Sequence, residues 1–199
     1  MDAEPTHREA IAALNGLELS SLKEMANGPA LVRLAGHSGL LLAAGALILT
    51  AQSSIVWCSA ILIYGIALMF LFSLEHETIH GTGFRSPWLN AIVAEVAGLP
   101  LLLPSRYFRY FHFAHHRHTQ DPSRDPELAY PKPNDWPSYG KHLSGIPYWR
   151  DAILGLLRHA LARADEDFIP AGGKSRVIAE ARVYLGIIGA LVAASAWFG

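Results

Sequence analysis

The chain has 199 residues and a net charge of −1, and 51% of its residues are hydrophobic. Its mean hydropathy of +0.23 is high for a soluble protein. The basic residues form no dense run, which argues against a nucleic-acid partner. The single cysteine, Cys58, excludes an internal disulfide and a Cys-x-x-Cys metal or redox motif. These values favour a membrane protein.

A transmembrane hairpin is predicted behind a cytosolic N-terminal segment. Residues 1–33 are polar and carry no signal-peptide pattern. Residues 34–74 contain no Lys, Arg, Asp or Glu, and as one straight helix they would reach about 60 Å, roughly twice a hydrocarbon core. The break is placed at Ala51-Gln52-Ser53-Ser54, which gives spans near 34–50 and 55–74. Three basic residues precede the hairpin, none lies in its turn and thirteen follow, so both of its ends are expected in the cytosol.

The rest of the chain is predicted as helices in or beside the membrane. Residues 88–104 are mostly apolar but contain Glu95, Gly98 and Pro100, so they form either a short span or a re-entrant or interfacial segment. Residues 105–182 are polar, with a turn at Asp125-Pro126 and an amphipathic surface helix at about 147–164. A further apolar helix starts at Val183. The expected fold is an all-α membrane protein with a membrane domain at 34–199.

Two histidine clusters carry the candidate chemistry. The first is His76 and His80, in the sequence HETIH, and the second is His112, His115 and His116, in HFAHH. Positions i, i+3 and i+4 share one face of a helix, so each cluster can aim its imidazoles at one point. Imidazole is a neutral ligand that suits iron. Each cluster is therefore predicted to be half of a metal site.

A shared metal centre requires both clusters to lie on the same side of the bilayer. A span at 88–104 would separate them, so this segment is expected to re-enter or to lie flat on the membrane. Glu95 then faces water or a polar partner. His118 points away from the metal-binding face of its helix, and His37, inside the first span, is expected to bond a neighbouring helix.

The HxxxH and HxxHH clusters behind an apolar hairpin resemble the first two histidine boxes of the membrane fatty acid desaturase family. The resemblance covers about Leu34 to Phe198. It implies two non-haem irons held by the five box histidines, activation of O₂, and removal of hydrogen from an acyl lipid in the bilayer. It also implies an external ferredoxin- or cytochrome-type electron donor, since the sequence has no Gly-rich dinucleotide motif and no cysteine cluster. Glu77 is expected to bond a ligand imidazole and hold its tautomer.

One part of the family pattern is missing. The third box of the family, HxxHH or QxxHH, does not occur in these 199 residues. Five histidines do not fill the coordination spheres of two irons. We therefore expect the chain to be the N-terminal part of a longer enzyme, and to bind iron weakly and turn over nothing by itself.

Other functions fit parts of the pattern. A carotenoid ketolase or hydroxylase, or another lipid hydroxylase, would use the same di-iron chemistry, and the histidine boxes do not distinguish it from a desaturase. HETIH also matches the HExxH motif of zinc proteases, with Glu77 as the general base, but this leaves the second cluster unexplained. A non-catalytic membrane or metal-storage protein is the third alternative. Two irons per chain would favour the desaturase, and one zinc would favour the protease.

Overall fold

The structure is a computed structural model that describes residues 7–13, 20–21, 24–129 and 132–198. These residues form helices and connecting turns, and none of them lies in a strand. The helices are α1 (His7–Ala13), α2 (Asn27–Thr50), α3 (Ser54–His80), α4 (Pro87–Leu101), α5 (Ser105–His118), α6 (Trp136–Leu143), α7 (Ile146–Ala160) and α8 (Ala171–Phe198). A short 3-10 helix, Pro126–Leu128, lies between α5 and α6. Much of the predicted cytosolic segment at 1–33 lies outside the described residues.

The predicted hairpin is formed by α2 and α3, and the chain turns at residues 51–53. Among the described helices, α2, α3 and α8 are long and apolar enough to cross a membrane. α3 is longer than predicted, because it continues beyond Leu74 to His80 and ends at Gly81 in the left-handed conformation (φ 76°). Its 27 residues extend about 40 Å, compared with about 30 Å for a hydrocarbon core. The first histidine cluster therefore lies at the end of a helix that is longer than the core is thick.

The predicted re-entrant segment forms α4, and the chain then bends by 94° into α5. Leu102 adopts the left-handed conformation (φ 54°), and the Leu103 N–H donates to the Gly98 carbonyl at 3.0 Å. A Cβ at Gly98 would lie 2.2 Å from the Leu103 carbonyl oxygen. The bend thus depends on glycine at this position, and α5 does not continue the direction of α4.

Small and apolar side chains hold these helices together. Leu71 on α3 packs against Ala97 and Leu101 on α4. Ile79 at the end of α3 packs against α4 and α5 through Ala94 and Phe108. The first cluster fixes α4 along α3, and the second fixes α5 across the end of α3 that carries the first histidines.

A polar contact relates the two ends of the hairpin. The Asn27 side chain at the start of α2 donates to the Ser86 hydroxyl at 2.7 Å and accepts from the Ser86 N–H at 3.1 Å. Ser86 immediately precedes α4 and follows the turn after His80. The start of α2 and the histidine-bearing end of α3 therefore lie on the same side of the molecule.

The last two long helices differ in their bounds from the prediction. The predicted surface helix at 147–164 is α7, and it ends earlier, at Ala160. α8 begins at Ala171, well before Val183, because Lys174, Arg176 and Arg182 interrupt the apolar run without interrupting the helix. Leu156 on α7 packs against α8 through Ala181 and Tyr184.

Candidate metal centre

The last turns of α3 carry the first histidine cluster. His76 and His80 are one turn apart, and their ring centroids are separated by 4.8 Å. The turn that follows is fixed by Asn90, whose side chain accepts from the Phe84 N–H at 2.9 Å and donates to the Phe84 carbonyl at 2.7 Å. Asn90 thereby ties the end of α3 to α4.

α5 brings the second cluster over the first. Nε2 of His80 lies 3.0 Å from Nε2 of His112 and 3.3 Å from Nε2 of His116. His76 joins this group, so that four imidazoles in the described part of the chain each present one nitrogen, all within 4.8 Å of one another. The structure thus brings together four of the five predicted metal ligands, from two helices.

Two anchors hold α5 in this position. The Arg109 guanidinium donates to the Ile79 carbonyl at the end of α3 and lies 4.5 Å from the centroid of the Phe113 ring. At the other end of α5, the N-cap residue is Pro104, which has no side-chain acceptor. Glu180 of α8 takes over this role by accepting from the Arg106 N–H at 2.9 Å. A carboxylate at a helix N-terminus is also favoured by the helix dipole.

His112 is the most buried imidazole of the group and the one best suited to remain neutral. It is 6% exposed, and burial, followed by the neighbouring imidazoles of His76 and His116, lowers its pKa to about 4. Its Nδ1 has no hydrogen-bond partner among the described residues. Several neutral nitrogen donors that converge in a partly buried space suit a cation such as iron or zinc. The residues present therefore fit a metal ion.

The fifth predicted ligand, His115, is turned toward acidic side chains. Its Nδ1 lies 2.9 Å from Oδ1 of Asp125, which is 3% exposed. Glu127 lies beside them, with Oε2 at 3.4 Å from the same nitrogen. These two acids were not predicted from the sequence as site residues. The Asp125-Pro126 turn was recognised, but its distance from the histidines in space was not.

The other residues singled out in the sequence have separate environments. Oε1 of Glu77 lies 3.6 Å from Nδ1 of His76, longer than a hydrogen bond, and Oε2 accepts from the Thr82 hydroxyl at 2.9 Å. The Glu95 carboxylate has polar partners, as expected: Oε2 accepts from the Tyr184 hydroxyl at 3.4 Å, and Oε1 lies 3.9 Å from Nε of Arg106. Nε2 of His37 is buried without a hydrogen-bond partner in the described structure, so the predicted bond to a neighbouring helix is not made through this nitrogen. His118 is not in the group of four imidazoles.

Comparison with known proteins gives a family match and two similar sequences. The family model for the fatty acid desaturases matches residues 52–199. An sn-1 oleoyl-lipid 12-desaturase from Picosynechococcus sp. is 28% identical over 101 residues, which cover 47% of this chain and 29% of that protein. A protein of the same name from Anabaena variabilis is 30% identical over 77 residues, which cover 39% of this chain and 22% of that protein. The matches thus cover less than a third of the length of either relative. No solved structure matches this chain.

Proposed function

Because this chain belongs to the fatty acid desaturase family, we propose that it is part of a membrane oxidoreductase that desaturates a fatty acyl chain with O₂ and externally supplied electrons. The observation that carries the proposal is the convergence of four imidazoles from α3 and α5 at the end of a membrane-length helix. The names of the two relatives, which specify oleoyl lipids, support an acyl lipid as the substrate.

The metal centre proposed here is a pair of non-haem irons. His76, His80, His112 and His116 would hold iron through the nitrogens that converge in this structure. His115 is proposed as a fifth ligand, and because Asp125 occupies its Nδ1 it has Nε2 left to offer. When bound, iron supplies the redox chemistry by which two hydrogens of the acyl chain are transferred to O₂ with electrons from a ferredoxin- or cytochrome-type donor. Five histidines leave part of two coordination spheres to further ligands.

The chain's own apolar residues give a lipid a path to this site. Phe72 lies one turn before His76 on α3 and is 42% exposed. Its ring is 6.2 Å from the ring of His76 and 5.4 Å from that of Phe108. An apolar surface therefore runs from the outside of α3 to the first histidine. This surface would guide an acyl chain toward the imidazoles and keep water away from it.

The proposed orientation places the N-terminus and the metal centre in the cytosol. It follows from the basic residues that flank the hairpin and from the shared side of the α2 start and the α3 end. A soluble electron donor would reach the imidazoles from this side, where His116 is exposed.

The first test is metal binding by the purified chain. Protein titrated with Fe(II) under anaerobic conditions should bind iron weakly but measurably, and His80→Ala should bind less, because His80 is the imidazole that contacts both His112 and His116. His118→Ala is the matched control on α5 and should bind iron with the same affinity as the wild type. Tight binding of one zinc with no affinity for iron would contradict the proposal.

The second test is the product made by the complete gene. Expression in a host that lacks its own desaturase should add double bonds to the acyl chains of membrane lipids, as measured by mass spectrometry. Hydroxylated lipids, or altered carotenoids with unchanged acyl chains, would reject desaturation and indicate a hydroxylase or ketolase that uses the same centre.

A further inference from the structure

Two carboxylates that follow α5 face the Nδ1 side of the second histidine cluster. Nδ1 of His115 lies 2.9 Å from Oδ1 of Asp125 and 3.4 Å from Oε2 of Glu127. The other oxygen of Glu127 lies 3.6 Å from Nδ1 of His112. Asp125 and Glu127 flank Pro126 at the start of the short 3-10 helix, so one turn of chain directs both acids at the two rings.

The opposite nitrogen of His112 faces the metal centre. Its Nε2 lies 3.0 Å from Nε2 of His80. A neutral imidazole carries one N–H, and the other nitrogen alone has a lone pair for a metal. A carboxylate is only an acceptor, so an acid hydrogen-bonded to Nδ1, as Asp125 is to His115, selects the tautomer with the proton on Nδ1. Nε2 is then the nitrogen available to the metal.

Contacts other than His115 also hold the Asp125 carboxylate in place. It is buried, Oδ1 accepts from the Glu127 N–H at 3.0 Å, and Oδ2 accepts from the Gln120 N–H at 3.1 Å. Gln120 adopts the left-handed conformation (φ 66°), which is unfavourable for a residue other than glycine. The bond to Asp125 stabilises this turn. The carboxylate therefore has a set position relative to the end of α5.

We propose that Asp125 is a positioning residue that holds His115 in the Nδ1–H tautomer and thereby sets the metal affinity of the second histidine cluster, with Glu127 adding its charge beside the two rings. The proposal rests on the metal centre proposed above. Asp125 has the larger effect of the two acids, because it is buried and within hydrogen-bond distance of its histidine. Glu127 is 41% exposed and lies at the longer distances.

The decisive variant is Asp125→Asn in the full chain. Asparagine has nearly the same shape, and its side-chain oxygen can still accept from a backbone N–H of the turn. It is neutral, however: its oxygen would accept from Nδ1–H of His115 more weakly than a carboxylate does, and its NH₂ group would instead donate to Nδ1. Either orientation weakens the preference for the Nδ1–H tautomer and so frees Nε2 less often for the metal. Binding of Co(II), measured by its visible absorption, should weaken by about 10- to 100-fold.

The matched control is Asp121→Asn in the same loop. Asp121 bonds Ser123 and Arg124 and contacts no histidine of the cluster in the described structure. This variant should bind Co(II) as the wild type does. An Asp125→Asn affinity equal to that of the wild type, or an equal loss in both variants, would overturn the proposal.

A second measurement reads the tautomer directly in the metal-free protein. Nitrogen-15 spectra of histidine-labelled wild type should contain an Nδ1–H imidazole that is absent from His115→Gln. Asp125→Asn should move part of this signal to an Nε2–H imidazole, a change that loss of packing alone would not produce. An Nε2–H tautomer for His115 in the wild type would overturn the inference. Because no metal is present, this result is independent of whether the protein is a desaturase.

Discussion

Replacing Gly98 with alanine should destabilise the junction between α4 and α5. The added Cβ would lie 2.2 Å from the Leu103 carbonyl oxygen and 2.7 Å from Oε1 of Glu75. Leu103 is held by its N–H bond to Gly98, and the Glu75 side chain is fully buried, so neither atom can move aside freely. Overpacking of this kind costs about 1–3 kcal/mol. The better helix propensity of alanine offsets up to about 1 kcal/mol of this cost.

Because the clash is with a backbone oxygen, the cost should lie in the upper part of this range, at about 2–3 kcal/mol. The net loss is then about 1–2 kcal/mol, which for a chain of this size corresponds to a decrease in Tm of about 2–8 °C. Gly155→Ala on α7 is the matched control, because its Cβ would meet no described atom within 4 Å. This variant should gain about 0.5–1 kcal/mol from helix propensity alone. Thermal unfolding of both purified proteins in the same detergent measures the difference. Equal Tm values, or a Gly98→Ala protein more stable than the wild type, would refute the close approach described for this bend.

Three further predictions follow from the fold and the site. Glu180→Ala should cost about 1–2 kcal/mol, the range for loss of a helix N-cap, because the first N–H groups of α5 lose their acceptor; Glu180→Gln keeps an oxygen and should cost less, and an equal loss in thermal unfolding would argue against capping. With Cys58 replaced by serine, a cysteine at Gln52 should react with an impermeant maleimide on intact cells and one at Asn134 only after permeabilisation, and the reverse pattern would refute the orientation. The metal-free protein should lose thermal stability as the pH falls from 6.5 toward about 4. The unfolded chain takes up a proton on His112 at its ordinary pKa, whereas the folded chain takes it up only near pH 4. His112→Asn should make Tm depend less on pH in this range, and an unchanged pH dependence would assign the effect to other groups.

The fold was predictable wherever the hydrophobic pattern decided it. The break at 51–54 and the hairpin around it are confirmed. The helix ends were predicted less well, because the apolar pattern reports membrane contact and not helix geometry. α3 passes through the polar residues His76 and Glu77 to reach His80, and α8 starts among charged residues that a membrane criterion excludes.

The site was predictable wherever ligand spacing decided it. The i, i+4 pairs His76/His80 and His112/His116 converge as the helical pattern indicated, whereas the role of each as a metal ligand stays a prediction. Contacts between distant residues could not be predicted. Glu180 lies 74 positions from the Arg106 N–H that it caps. The contact between Asp125 and His115 depends on the loop after α5, and no repeating pattern in the sequence predicts the course of that loop.

Because of the bend between α4 and α5, the length of α3 determines how deep the imidazoles lie. α5 turns away from the direction of α4, so the depth of the imidazoles is set by the distance along α3 from the turn at 51–53 to His76. Each residue added to α3 before Leu71 would shift the histidine-bearing end, together with the α4 and α5 that pack on it, by about 1.5 Å and rotate it by about 100° relative to α2, which would break the Asn27–Ser86 contact. A change of about seven residues, or two turns, restores the facing and moves the site by about 10 Å. The depth of the imidazoles is therefore set by the length of α3, and an insertion or deletion of one or two residues there should disrupt the packing of α3 against α2 and not simply move the site to a new depth.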